Sequence, residues 1–210
     1  KTWIDSGAPY TAETKPAPQW WSFQPIKPST KTIDDLINAK LKENNLTPVN
    51  KAPKRTLIRR AYYTLHGLPP TPEQVEAFEK DSNPKAFENL IDELLKSPRY
   101  GERWGRHWLD VVRYADSSGY SNDFERPNAW RYRDYVIRAF NSDLPFNQFI
   151  REHVAGDLLK NPRLINGQNE SVLATAFWRF GEMGHDNCNQ FREIRTDVVD
   201  NQIDTLAKAF

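Results

Sequence analysis

The stretch from Arg103 to Asp116 constrains the fold of this chain more than any other. Wound at about 100° per residue, it divides into two faces. Trp104, Trp108, Val111, Val112 and Ala115 form an apolar stripe, and Arg103, His107, Asp110 and Tyr114 stack on successive turns beside it, flanked by Arg106 and Arg113. On a strand, where faces alternate with period two, both groupings would be scattered. The segment is therefore read as a helix. An acid, an imidazole, a phenol and several guanidiniums along a two-Trp stripe either line a site or form a buried network that fixes how helices cross, and the segment alone leaves both open.

The same period recurs along most of the chain. Thr32 caps a helix with Asp35 at its third position and Ile33, Leu36, Ile37 and Leu41 on the inward face. Residues 53–65 follow, with Leu57, Ile58, Ala61, Tyr62 and Leu65 inward and Gly67 as the stop. Thr71 then caps a helix that has Pro72 at its first position, and Asn83-Pro84 starts the next, lined by Phe87, Leu90, Ile91, Leu94 and Leu95. Beyond a loop from Asp116 to Pro127, helices are expected over 128–140, 145–154, 171–180 and 191–210. No alternating strand pattern and no internal repeat appears, so the expected fold is all-α, a single irregular domain of about eight or nine helices. Its core is expected around Trp104, Trp108, Trp130 and Phe149. Residues 9–31, with Pro16, Pro18, Trp20, Trp21, Phe23, Pro25 and Pro28, favour an extended N-terminal strap over helix.

Composition excludes several function classes. Lys and Arg (29) nearly balance Asp and Glu (28), so no global field draws the chain to nucleic acid or to an acidic membrane. No apolar run approaches the roughly 20 residues of a membrane-spanning helix. Cys188 is the sole cysteine, which excludes an internal disulfide and an all-Cys metal site. Aromatic residues are 12% of the chain, with seven Trp, which supplies flat rings for stacking on sugars or other ligands. There is no nucleophile elbow, phosphate-cradling glycine loop or dinucleotide fingerprint.

Several polar residues resist a pure packing reading. Arg133 sits in the middle of a face made by Trp130, Tyr132, Val136, Ile137, Ala139 and Phe140, so it is expected to reach a carboxylate. Asp110, Asp116 and Asp157 are the acids that the pattern turns inward, and one of them is the expected bidentate partner. His153 shares a face with Phe146, Phe149 and Ile150, and Asp157 falls near the same direction. The loop 116–123 offers Asp116, Tyr120, Asn122 and Asp123 near Gly119; it resembles a calcium loop in composition but lacks the regular alternation and closing Glu. His185 and Cys188 supply two soft-metal ligand types, fewer than a zinc site needs. Each feature also has a structural reading: a buried pair for His107 and Asp110, an ion pair for Arg133, and a partly exposed histidine for His153.

A family resemblance rests on long motifs in order: Trp20-Trp21-Ser22-Phe23-Gln24-Pro25-Ile26, Arg55-Thr56-Leu57-Ile58-Arg59-Arg60, Leu65-His66-Gly67-Leu68-Pro69-Pro70-Thr71-Pro72, Tyr100 to Asp110, Arg113-Tyr114-Ala115-Asp116, Pro127 to Val136 and Ala155-Gly156-Asp157. Together they resemble the domain that follows a planctomycete-type cytochrome c domain in large exported proteins of Planctomycetes and Verrucomicrobia. The resemblance implies that residues 1–8 end the preceding cytochrome domain, 9–31 form the strap and 32–210 are the helical domain, whose family pattern continues past Phe210. It further implies an exported, periplasmic or cell-surface protein, with haem c in neighbouring segments and the cytochrome and C-terminal domains of the same protein as partners. No haem can attach covalently within these residues; His153 and His185 are the histidines considered for a non-covalent axial contact, although the resemblance implies Gln at position 153 in many relatives.

Complex, including sulfated, polysaccharide is the ligand class that the resemblance implies. On an enzyme reading, Asp110 or Asp116 acts as general acid or base with His107 as proton partner. Arg103, Arg113, Arg131 and Arg133 then clamp sulfate or carboxylate, Tyr114, Tyr120 and Trp130 offer rings, and His153 and Asp157 complete the pocket. The competing reading is a non-catalytic scaffold that positions the cytochrome domain.

Overall fold

The computed structural model describes residues 20, 22, 24–118, 123–180 and 191–210, the last range with side chains from 195 onward. The described residues form nine α-helices and one two-stranded pairing, so the chain is all-α as its periodicity implies. It divides into two units, residues 1–51 and 52–210.

In the first unit, α1 (Ile33–Glu43) begins at a reciprocal cap. Thr32 Oγ1 accepts from the Asp35 amide at 3.1 Å, and Asp35 Oδ2 accepts from the Thr32 amide at 2.8 Å. Its apolar face is not buried: Ile33, Leu36 and Ile37 are all exposed, contrary to the inward face expected for them. Trp20 and Ile26 of the strap are exposed too, while Trp21 and Phe23 lie outside the described residues.

The second unit holds two apolar clusters. Helices α2 (Lys54–Leu65), α3 (Pro72–Lys80) and α4 (Ala86–Lys96) enclose Ile58, Ala61, Tyr62, Phe78, Leu90 and Leu94. Thr71 and Gln74 form a second reciprocal cap at the start of α3. Helix α4 begins at Ala86, three residues past Asn83; Asn83 Oδ1 instead accepts from the Lys85 amide at 2.9 Å and closes a turn. The larger cluster lies among α5 (Pro98–Val111), α6 (Trp130–Asn141), α7 (Phe146–Ala155), α8 (Glu170–Ala174) and α9 (Phe191–Ala209). Val112, Tyr132, Tyr135, Val136, Phe149 and Phe177 are its buried centre.

Helix α5 is turned differently from its hydrophobic stripe. Its fully buried positions are Gly101 and Gly105, which let α6 approach at backbone distance. A Cβ on Gly101 would fall 2.6 Å from Asn141 Oδ1, the atom that accepts the Gly101 amide at 2.8 Å. Trp108 and Val112 follow this glycine edge into the core, whereas Val111 and Ala115 end up exposed. Trp130 is 41% exposed and is no part of the core. Phenols replace it: Tyr135 stacks on Phe149 with ring planes 9° apart, and Tyr132 is buried beside it.

Helix α5 ends with Arg113 in the left-handed region at φ 57°. The Tyr114 amide donates back to Leu109 O and the Arg113 amide to Asp110 O. A glycine usually occupies that position. The expected helix over 171–180 is the short α8 followed by a 3₁₀ segment, Thr175–Arg179. Just before it, Leu164–Ile165 pairs antiparallel with Gln168–Asn169 through Asn166-Gly167, both at positive φ. Asn-Gly is a strong local signal for such a hairpin turn.

Candidate functional site

Three aromatic heterocycles and phenols from successive helices share one buried chain of hydrogen bonds. Trp108 Nε1 donates to the Tyr132 hydroxyl at 2.9 Å, and that hydroxyl lies 2.9 Å from His153 Nε2. His153 Nδ1 lies 2.8 Å from the Phe149 carbonyl, which can only accept. Nδ1 must therefore carry the proton, and Nε2 accepts from Tyr132. His153 is fully buried rather than partly exposed, and burial pushes its pKa down from 6.5 to about 4 despite the Phe149 carbonyl and the neighbouring Glu152. Burial likewise pushes the Tyr132 phenol well above its ordinary range.

The sign of the resulting pH dependence follows from that depressed value. Between pH 6.5 and about 4 the unfolded chain takes up a proton at position 153 that the folded chain refuses, so stability falls as pH falls through that window. The shift corresponds to about 3 kcal/mol. Urea denaturation between pH 6.5 and 5 should show this slope in the wild type and a flatter one in His153→Gln, whose amide can still donate to Phe149 and accept from Tyr132. Equal slopes would mean that His153 is protonated in the fold.

A second network lies beside the first. Glu152, fully buried, accepts from Arg163 Nε at 3.1 Å and Arg163 Nη2 at 3.0 Å, from Tyr135 at 2.9 Å, and from Gln148 and Ser171, each at 3.2 Å. Burial alone would raise the Glu152 carboxyl; the hydrogen bonds from Arg163, Gln148 and Tyr135 outweigh it and hold it below the usual carboxylate range. Glu170, also buried, is gripped by Arg138 at 2.8 and 3.3 Å and lies 3.8 Å from Arg163 Nη1. Sequence periodicity did not single out Glu152, Glu170, Arg138 or Arg163, because their partners lie on elements distant in sequence.

The residues expected to form a site are placed as follows. Tyr114, Asp116 and Arg133 do come together: the Tyr114 hydroxyl donates to Asp116 Oδ1 at 2.5 Å, and both groups act electrostatically on Arg133. Burial, then the Asp116 carboxylate, pushes the Tyr114 phenol up. Arg133 pairs with its neighbour Asp134, Nε at 3.0 Å and Nη2 at 2.9 Å from the same Oδ1. This corrects the expected partner among Asp110, Asp116 and Asp157. The Arg133 side chain is 43% exposed, so a surface acid suffices. Two residues back, Arg131 lies over the exposed Trp130 ring, 5.2 Å from its centre.

The other expected members disperse. His107 and Asp110 are exposed, and neither side chain makes a hydrogen bond or ion pair with a described residue; His107 rests edge-on against Trp104, 5.5 Å between ring centres. Arg113 reaches Asn201 at 3.0 Å and Asp204 on α9. Asp157 is exposed instead of inward. Arg103 packs its stem over Gly67, and its buried Nε, like Trp104 Nε1, has no hydrogen-bond partner among the described residues. Tyr120 lies outside the described residues, as do His185, Cys188 and the Gly119–Asn122 part of the loop considered for calcium.

Two hollows border these elements. An apolar one of about 190 Å³ is lined by Trp108, Phe140, Phe146 and Phe149, with Asp143 as its only carboxylate. A more polar one of about 390 Å³ lies between Tyr62, His66, Glu93 and Arg99. Each has a single carboxylate among its described lining residues, Asp143 in the first and Glu93 in the second, whereas most glycoside hydrolases use a facing pair.

Among the described residues, no group of three or more His, Cys, Asp or Glu is placed to hold a metal ion. His153 does not fit as an axial haem ligand, since both ring nitrogens are committed inside the core. No described helix is long and apolar enough to cross a membrane. No curated protein matches the chain, and no solved structure does. A family model described as PSCyt2, a protein of unknown function (DUF1549), matches residues 32–210, spanning both the α1 cap and the buried networks, and the chain belongs to this planctomycete cytochrome c-associated family.

Proposed function

We propose that this chain is the glycan-contacting helical module of an exported, multi-domain c-type cytochrome protein, and that it binds complex, including sulfated, polysaccharide without cleaving it. The observation that carries the reading is the surface at the first turn of α6. There Trp130 presents an exposed ring with Arg131 beside it, next to the Tyr114, Asp116, Arg133 and Asp134 cluster. A flat ring suits the C–H face of a pyranose, and a guanidinium matches the paired oxygens of a sulfate or carboxylate. The buried frame below holds these groups without taking part in chemistry. Its carboxylates, Glu152 and Glu170, are already neutralised by Arg163 and Arg138. Against an acid–base role stands the exposure of His107 and Asp110, which lack any group to orient them.

Isothermal titration with a sulfated galactan and its desulfated form tests this. The sulfated polymer should bind, and Trp130→Ala and Arg131→Ala should each weaken binding about tenfold. Both side chains are surface groups, so stability should change by less than about 0.5 kcal/mol. Absence of binding, or variants that bind like the wild type, would leave the scaffold reading, which the uncovered Ile33, Leu36 and Ile37 face of α1 favours.

A further inference from the structure

The Leu65 to Pro72 motif has no part in the reading above, yet it builds the larger hollow of the second unit. The end of α2, the turn after Gly67 and the first turn of α3 form one side of this hollow, and the α4–α5 junction forms the other. Its volume of about 390 Å³ lies in the range of small-molecule sites.

The lining groups are unusual in what they leave unpaired. Glu93 and Arg99 carry opposite charges at the same hollow, yet neither side chain forms an ion pair or hydrogen bond with the other or with any described residue. Elsewhere in the unit such charges do meet, as in Arg55 with Glu79. The Tyr62 hydroxyl has no hydrogen-bond partner among the described residues, although its ring is buried, and burial together with the Glu93 charge pushes the phenol pKa up. His66 Nε2 lies 3.0 Å from the Leu94 carbonyl, which can only accept, so Nε2 donates there, and Nδ1 has no partner among the described residues. Gln74 spends its Oε1 on the Thr71 cap, which leaves its amide N–H₂ free.

These groups are of two kinds. Glu93 and the Tyr62 oxygen can accept from an ammonium group, and a neutral His66 ring would add Nδ1 as a third acceptor. Arg99, in the first turn of α5, and the Gln74 amide, in the first turn of α3, are donors, and the N-terminal end of a helix favours an anion. A neutral sugar would leave Arg99 without an anion, and a bare anion would face Glu93. We infer that this hollow binds a small zwitterion bearing an ammonium and a carboxylate on one carbon, a free α-amino acid.

The test uses the whole chain and each common L-amino acid at millimolar concentration, read by thermal shift and by titration calorimetry. At least one should raise the melting temperature and give a saturable isotherm. Its N-acetyl and methyl-ester derivatives, each lacking one charge, should bind at least about tenfold more weakly, as should the parent acid to Glu93→Gln or Arg99→Gln. Both residues are exposed and unpaired, so both variants should melt like the wild type. The inference fails if no amino acid binds, if the blocked derivatives bind as well as the parent, or if glucuronate binds and amino acids do not. Trp130→Ala should leave this binding unchanged, which separates it from the glycan surface.

Discussion

Arg163→Met is expected to destabilise the protein by about 3–5 kcal/mol at pH 7, a large part of the stability of an ordinary domain. The loss does not measure what the ion pair contributes. It measures what Glu152 costs once alone, because a fully buried carboxylate then keeps only Tyr135, Gln148 and Ser171 as hydrogen-bond donors. The pH dependence separates the two. In the wild type the Glu152 pKa is depressed, so its stabilising contribution is present above the ordinary carboxylate range and is lost as pH falls through the folded value. In Arg163→Met the desolvated carboxyl should titrate above its ordinary value, so the damage should shrink between pH 7 and 5 as it takes up a proton. Glu152→Gln added to Arg163→Met should recover much of the loss at pH 7. Urea denaturation followed by circular dichroism reads all three chains, and a loss below about 1 kcal/mol at pH 7 would show that water reaches the pair.

The elements that could be read from sequence are those whose signals are local. The Thr32 and Thr71 caps involve residues three apart, and both formed as the pattern required. The α5 stripe misled in one respect because apolar periodicity registers side chains that are present. The helix packs through Gly101 and Gly105, where closeness depends on a side chain being absent, and glycine adds nothing to a hydrophobic stripe. The helical angle singled out Arg133, yet Arg133 and Arg138 are both half-exposed, and it is Arg138 that meets a buried carboxylate, Glu170, 32 positions further along the chain. The same limit applies to His153: its helical face was legible, but its role as the end of a Trp108–Tyr132 chain was not, since that depends on how three helices cross. Of the expected site, Tyr114, Asp116 and Arg133 lie together because the tight turn at Arg113 folds the end of α5 back on itself.

Gly156→Ala is expected to be comparably damaging, for a reason unrelated to charge. Its φ of −62° and ψ of −28° suit alanine, so the backbone itself raises no objection. Space does. A Cβ there would overlap the Ser171 carbonyl oxygen and sit 2.6 Å from its carbon, backbone atoms that cannot swing aside as a side chain would. Relief requires α8 to move away from the end of α7. That shift would carry off Ser171 Oγ, which donates to Glu152 and accepts the Arg163 amide at 2.9 Å. Overpacking and loss of the buried hydrogen bonds should together cost at least about 3 kcal/mol, enough to leave a marginal domain partly unfolded. Gly167→Ala provides the contrast: its φ of 76° strains alanine but nothing lies near its Cβ, so about 1 kcal/mol is expected. Asp157→Asn, next to Gly156 but exposed, should change stability by less than about 0.5 kcal/mol. If Gly156→Ala melts like Gly167→Ala, α7 and α8 do not approach as closely as their contact implies, and the Ala155-Gly156-Asp157 motif would need a reading that turns on Asp157 instead.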